Sequence, residues 1–184
     1  MRLSRVGLRE SLCQIGGKHV IMEAAVMSEV LPGPPPSEED KYPRITEKFL
    51  RNLLRSDMRV YYSTKELNDR LYLHYKGFHC IENLQPFTGL RVLYIEGNCI
   101  SKIEGLEQCT DLRCLFIQEN GLKEISGLET LVHLDTLNAS DNCLTRISGV
   151  NMLKKLGSLI VARNQIGSQG VSDLIDLIGL DNLS

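Results

Sequence analysis

The stretch Leu90-Arg91-Val92-Leu93-Tyr94-Ile95-Glu96-Gly97-Asn98-Cys99-Ile100 opens a frame that returns at Leu112, Leu134 and Leu156, 22 residues apart each time. Its fourth column reads Leu71, Leu93, Leu115, Leu137, Leu159 and its sixth reads Leu73, Ile95, Ile117, Ala139, Val161. Apolar side chains on either side of one intervening residue are the mark of a short strand with one buried face. Column nine is Asn98, Asn120, Asn142 and Asn164, and column eleven is Phe78, Ile100, Leu122, Leu144 and Ile166. Columns fourteen and seventeen continue with Ile81, Ile103, Ile125, Ile147 and with Leu84, Leu106, Leu128, Val150.

A unit this small cannot bury its own apolar face, so successive copies must stack on one another. The frame is that of a leucine-rich repeat. It predicts an α/β leucine-rich-repeat solenoid of 22-residue turns, with parallel concave strands, short helical or irregular convex segments and an N-terminal capping helix. Each column-nine asparagine is expected to be buried, with its amide serving loop backbone groups. The leucine columns are core, each side chain stabilising by about 1.5 to 3 kcal/mol.

The ends of an array depart from the frame because one side of the stack has no neighbour. In the first copy Asn68 stands in column one, where leucine is expected. Lys76 replaces the column-nine asparagine there, so that copy is expected to lack the asparagine hydrogen bonds. Upstream, Thr46 is a natural N-cap for a helix carrying Phe49, Leu50, Leu53 and Leu54 on one face, with Lys48, Arg51 and Arg55 mainly on the other. Such a helix closes the open edge of the first repeat; a membrane-surface or calmodulin-binding helix is the competing reading. At the far end Val171 and Leu174 run two residues late, and Leu180 and Leu183 fit columns one and four of a sixth copy. The frame reaches Ser184 in mid-strand without a cap, which predicts a fragment or shortened isoform of a longer protein. The expected organisation is a flexible extension over 1–44, a helical cap over 45–66, and repeats over 67–184, five copies and a truncated sixth.

Composition narrows the function classes. The 184 residues carry a formal net charge of -2, which provides no general electrostatic attraction to nucleic acid or to an anionic membrane. Leu31-Pro32-Gly33-Pro34-Pro35-Pro36, followed by Ser37-Glu38-Glu39-Asp40, reads as an extended linker. Arg2, Arg5 and Arg9 resemble a mitochondrial presequence, but Glu10, Glu23 and Glu29 argue against one, and no apolar run reads as a signal or transmembrane segment. The six cysteines, Cys13, Cys80, Cys99, Cys109, Cys114 and Cys143, form no C-x-x-C pair and are expected to be reduced thiols; Cys99 and Cys143 share column ten as small half-buried residues. The histidines His19, His74, His79 and His133 show no metal-ligand spacing. Gly17-Lys18 resembles the tail of a phosphate loop, yet His19 stands for the required Ser or Thr and Leu12 for the required Gly. The expectation is a non-catalytic, intracellular protein-binding scaffold with no catalytic residue, metal or cofactor, no small-molecule substrate and no direct contact with membrane or nucleic acid.

The candidate binding surface is the concave face. Column five, between the two buried strand columns, reads Tyr72, Tyr94, Phe116, Asn138 and Ile160. Aromatic side chains facing solvent cost solubility unless something packs on them, and they are favoured at binding hot spots. Stacking across strands that only stiffens the sheet is the other reading, and the two are compatible. Arg91 and Arg113 of column two, with Glu96, Glu119 and Asp141 of columns seven and eight, form a charged border; Gln118 and Arg163 lie in the same two columns.

One stretch is more specific than the generic frame. Glu66-Leu67-Asn68-Asp69-Arg70-Leu71-Tyr72-Leu73-His74-Tyr75-Lys76-Gly77-Phe78, followed by Ile81-Glu82-Asn83-Leu84 and Thr88-Gly89-Leu90, closely resembles the opening repeat of the dynein axonemal assembly factor 1 family. Leu112-Arg113-Cys114-Leu115-Phe116 and Gln118-Glu119-Asn120 strengthen the likeness, which extends over about Ile45 to Val150. It implies a cytoplasmic factor, in some cases at the cilium or axoneme, that preassembles dynein arms, and partners that are dynein subunits or assembly co-chaperones. It also implies a long region after the repeats, for which this chain has no counterpart, and it brings no catalytic residues. Two other scaffolds share the architecture: a phosphatase regulator with 22-residue repeats, and a spliceosomal repeat protein that holds an RNA-binding partner.

Overall fold

The computed structural model describes residues 42–167 and, upstream, two strands. The chain divides into two compact units, Met1–Pro36 and Ser37–Ser184. In the first, strands β1 (Leu12–Ile15) and β2 (Lys18–Ile21) pair antiparallel, Leu12 opposite Ile21. The late-phase residues Val171, Leu174, Leu180 and Leu183 and the Pro-rich stretch lie outside the described residues.

The second unit is a solenoid. Helix α1 (Glu47–Ser56) precedes strands β3 (Arg70–Tyr72), β4 (Val92–Tyr94), β5 (Cys114–Phe116), β6 (Thr136–Asn138) and β7 (Ser158–Ile160). The five strands form one parallel sheet in sequence order, each advanced by one repeat: Leu71 faces Leu93, Leu93 faces Leu115, Leu115 faces Leu137 and Leu137 faces Leu159. Columns four and six are fully buried through the first four copies, ending at Leu137 and Ala139. In the last described strand Leu159 and Val161 are only partly buried.

Between strands the described backbone is irregular, and its logic is a period of three. Phe78, Ile81, Leu84, Phe87 and Leu90 are all buried at that interval, as are their counterparts in the next turns. Two successive three-residue closures in each copy produce it, for example Phe87 N–H to Leu84 O at 2.9 Å and Leu90 N–H to Phe87 O at 3.1 Å. The interval is that of 3-10 geometry, which delivers one side chain inward per turn. Column twenty, Phe87, Cys109, Leu131 and Leu153, is therefore core as well. At column sixteen the backbone runs left-handed, with φ of +74° at Gly127, where an added Cβ would strike the carbonyl of Ile103. In the first copy Asn83 takes that conformation, and its Nδ2 donates to Ile45 O at 2.8 Å.

The asparagine ladder connects the turns, and it has a direction. Asn120 Nδ2 donates to Ile117 O and Gln118 O of its own copy and to Ile95 O of the copy before, while its Oδ1 accepts from Ile100 N. Asn98 likewise accepts from Lys76 N and Phe78 N and donates to Leu73 O. Each asparagine thus satisfies the preceding turn. This corrects the expectation for the first copy: its loop is served by Asn98, and Lys76 occupies a position whose preceding turn does not exist. Asn68 is no defect either. Almost fully buried, it accepts from Tyr62 N and donates to Tyr62 O, Thr64 O and Lys65 O, pinning the segment between α1 and β3.

Helix α1 begins as its sequence requires, Thr46 Oγ1 accepting from Phe49 N at 3.1 Å. It buries Leu50 and Leu54, and Phe49 meets Phe78 edge-on at 5.2 Å. Tyr61 is buried further along, in edge contact with Tyr72, and burial pushes its hydroxyl pKa up. Of the column-ten cysteines, Cys143 is half-buried as expected, whereas Cys99 is exposed.

Replacing Leu115 with Ala should lower stability by about 2 to 5 kcal/mol. Asn120→Ala should cost a comparable amount, through its orphaned backbone partners. Glu124→Ala should stay within about 0.5 kcal/mol of wild type. Three equal melting temperatures would contradict the column assignment. Burial pushes the Cys109 thiol up to about 11, so at pH 8 a maleimide should modify Cys99 quickly and Cys109 only on unfolding; mass mapping of the modified sites reads this directly.

Candidate functional site: the concave strand face

Column five sits on the inner face of the sheet, where each side chain rides above its counterpart in the neighbouring strand. The rings of Tyr72 and Tyr94 stack at 4.9 Å and 11°, and those of Tyr94 and Phe116 at 4.8 Å and 8°. Tyr61 caps the near end edge-on at 6.4 Å. All three stacked residues are half-buried. Asn138 continues the column, its Oδ1 accepting from Ser140 N and Ser140 Oγ, and Ile160 ends it, 41% exposed. The structure therefore brings Tyr72, Tyr94 and Phe116 into one ladder and sets Asn138 and Ile160 in line beyond it.

The two borders differ in character. At the N-terminal ends of the strands Arg91 and Arg113 are exposed; Arg113 lines a cavity of about 300 Å3 with Cys114, His133, Asp135 and Lys155. At the other border Glu96 lies 3.9 Å from His74, and Glu119 accepts the Tyr75 hydroxyl at 3.3 Å. The Glu119 carboxylate holds the Tyr75 hydroxyl above its ordinary pKa. Asp141 takes a bidentate bond from Arg163, with Nη2 to Oδ2 at 2.6 Å, and this holds the Asp141 carboxyl below its usual range. The pair is present while Asp141 is ionised and opens as the pH falls through that depressed value.

Two features of this border escaped the column reading. Column seven holds three polar atoms shut off from solvent and without a hydrogen-bond partner, His74 Nδ1, Glu96 Oε2 and Gln118 Oε1, in three consecutive turns. A buried polar atom left wholly unpaired costs about 1 to 3 kcal/mol, although His74 Nδ1 has the Glu96 carboxylate 3.9 Å away. Column eight is left-handed throughout, with φ of +52° at Tyr75, +63° at Gly97, +56° at Glu119, and +54° at Asp141 and Arg163. The conformation lets the amides of Tyr75, Gly97, Glu119 and Asp141 reach the next turn, as Glu119 N–H does to Ser140 O at 3.1 Å. Extending column eight back to the first copy would have found Tyr75, whose ring lies over Gly97. The left-handed backbone had no signal in a column that holds glycine only once.

Among the described residues no group of three or more His, Cys, Asp or Glu is placed to hold a metal, and no helix is long and apolar enough to cross a membrane.

The family model described as Leucine Rich repeats (2 copies) matches residues 88–130. The chain carries leucine-rich repeats. Two internalins from Listeria monocytogenes share the fold: one aligns at a TM-score of 0.57 and 30% identity over 64% of this chain and 33% of its own, the other at 0.57 and 32% over 63% and 49%. The likeness to the dynein axonemal assembly factor 1 family is borne out by curated relatives, over the repeat region. The dynein axonemal assembly factor 1 homolog of Drosophila erecta is 51% identical over 59 residues, 32% of this chain and 4% of the relative. Dynein axonemal assembly factor 1 of Mus musculus is 51% identical over 57 residues, 31% of this chain and 9% of the relative. The chain thus spans less than a tenth of these proteins, and the matched stretch is shorter than the expected Ile45 to Val150.

Glu119→Gly should leave stability within about 1 kcal/mol of wild type, because release from the left-handed conformation offsets the added freedom of the unfolded chain. The same change at the neighbouring exposed Lys123, which is not left-handed, should be the more destabilising of the two, because only the added freedom of the unfolded chain acts there. Thermal melts of the two variants compare the positions.

Proposed function

We propose that this chain is a non-catalytic scaffold for assembling axonemal dyneins in the cytoplasm or at the cilium, and that its concave face holds a protein client. The observation that carries the reading is the ladder Tyr72–Tyr94–Phe116, half-exposed on a rigid strand face. A stack fixed by its neighbours loses little side-chain entropy when a partner covers it. The names of the curated relatives supply the dynein connection. The client is a dynein subunit or an assembly co-chaperone; Arg91, Arg113, Glu96, Glu119 and Asp141 set its register from the two borders, and Asn138 and Ile160 extend the contact.

Affinity capture from ciliated cells should retain axonemal dynein chains or their assembly factors. Replacing Tyr94 and Phe116 together with Ser should abolish that retention while the melting transition stays cooperative. Undiminished capture by a folded double variant would place the client elsewhere.

A further inference from the structure

The N-terminal cap carries a second feature, of opposite character to the ladder. Between α1 and the 3-10 turn Lys65–Leu67 lies a cavity of about 330 Å3 lined by Glu47, Arg51, Leu54, Arg55, Ser63 and Lys65. Arg51 and Arg55 stand one helical turn apart on the exposed face of α1, a like-charge spacing that disfavours the helix. Among the described residues neither guanidinium has a carboxylate within ion-pair distance. Glu47, the cavity's one acid, is committed to Lys65 at 2.6 Å. The opposite wall is fixed in advance, because Asn68 holds the backbone of Tyr62, Thr64 and Lys65.

We propose that this cavity binds a phosphate monoester carried on a phosphorylated serine or threonine of a protein partner. Two guanidinium forks present paired N–H donors to the oxygens of a dianion, and Ser63 adds a hydroxyl. The three cations and one anion of the lining leave a net positive charge of two (3 − 1), matching a phosphomonoester and exceeding a single carboxylate. A peptide carrier is favoured over a lipid headgroup on two counts. The chain as a whole carries a charge of -2, which does not draw it to an anionic membrane. The cavity's loop also exposes Tyr62 and Leu67, each about 60% accessible, as apolar footholds on either side of Ser63 and Lys65.

The test uses the full chain and N-acetyl-phosphoserine amide, with the unphosphorylated amide and acetate as controls, followed through the arginine Nε–Hε resonances. The Arg51 and Arg55 signals should move with the phosphorylated probe, and binding should be at least about tenfold weaker for either control. Arg51→Gln with Arg55→Gln should lower affinity about tenfold or more, while Lys48→Gln, on the same helix but outside the cavity, should not. The Tyr94 and Phe116 double variant should bind the probe normally, which keeps this result separate from the fate of the concave face. Equal losses in the Lys48 variant, acetate binding as well as phosphoserine, or binding confined to vesicles containing phosphatidylinositol phosphate would each overturn the proposal.

Discussion

The hydrogen bonds of the column-nine asparagines are the constraint on which the rest of the solenoid depends. A 22-residue turn closed by irregular backbone leaves carbonyls and amides facing the interior, where an unmet polar group is expensive. One primary amide, inserted between turns, satisfies four of them at once, as Asn120 does for Ile95, Ile100, Ile117 and Gln118. Because the partners straddle two copies, the same bonds set the spacing of the turns. Strand register, and with it the alignment of column five, follows from that spacing.

The aromatic ladder illustrates how little local sequence contributes by itself. Tyr72, Tyr94 and Phe116 are separated by complete turns, and only equal turn lengths bring their rings to within 5 Å. The column twenty side chains and the period-three wall keep those lengths equal, since each turn must deliver the same number of side chains to the core. The left-handed residues of column eight then end each strand in the same way, so that polar side chains form a border beside the rings.

The columns that carry leucine, isoleucine and asparagine were readable from the sequence because burial and backbone satisfaction impose the same residue type on every copy. The ladder was readable for a related reason, an aromatic column where solvent-facing residues are expected. Column twenty was harder to see, because Phe87, Cys109, Leu131 and Leu153 share burial but not shape. Asn68 and Lys76 read from the frame only as departures at the end of the array: the frame shows which residue is missing from a position, but the direction in which an asparagine reaches is a property of the fold. The unsatisfied atoms of His74, Glu96 and Gln118 depend on side-chain placement within two or three ångströms, which no spacing rule conveys.

The parallel stacking of Tyr72, Tyr94 and Phe116 has a chemical consequence for whatever meets them. Ring faces, where π electron density is highest, are turned toward one another along the column. Outward lie the C–H rims, which bear partial positive charge, together with two phenolic hydroxyls. A lysine or arginine approaching from solvent therefore finds no open π surface between the rings, whereas a backbone carbonyl or an aliphatic side chain finds a matching edge. The stack that rigidifies the inner wall thus also gives it an edge chemistry better matched to carbonyls and aliphatic groups than to cationic tips.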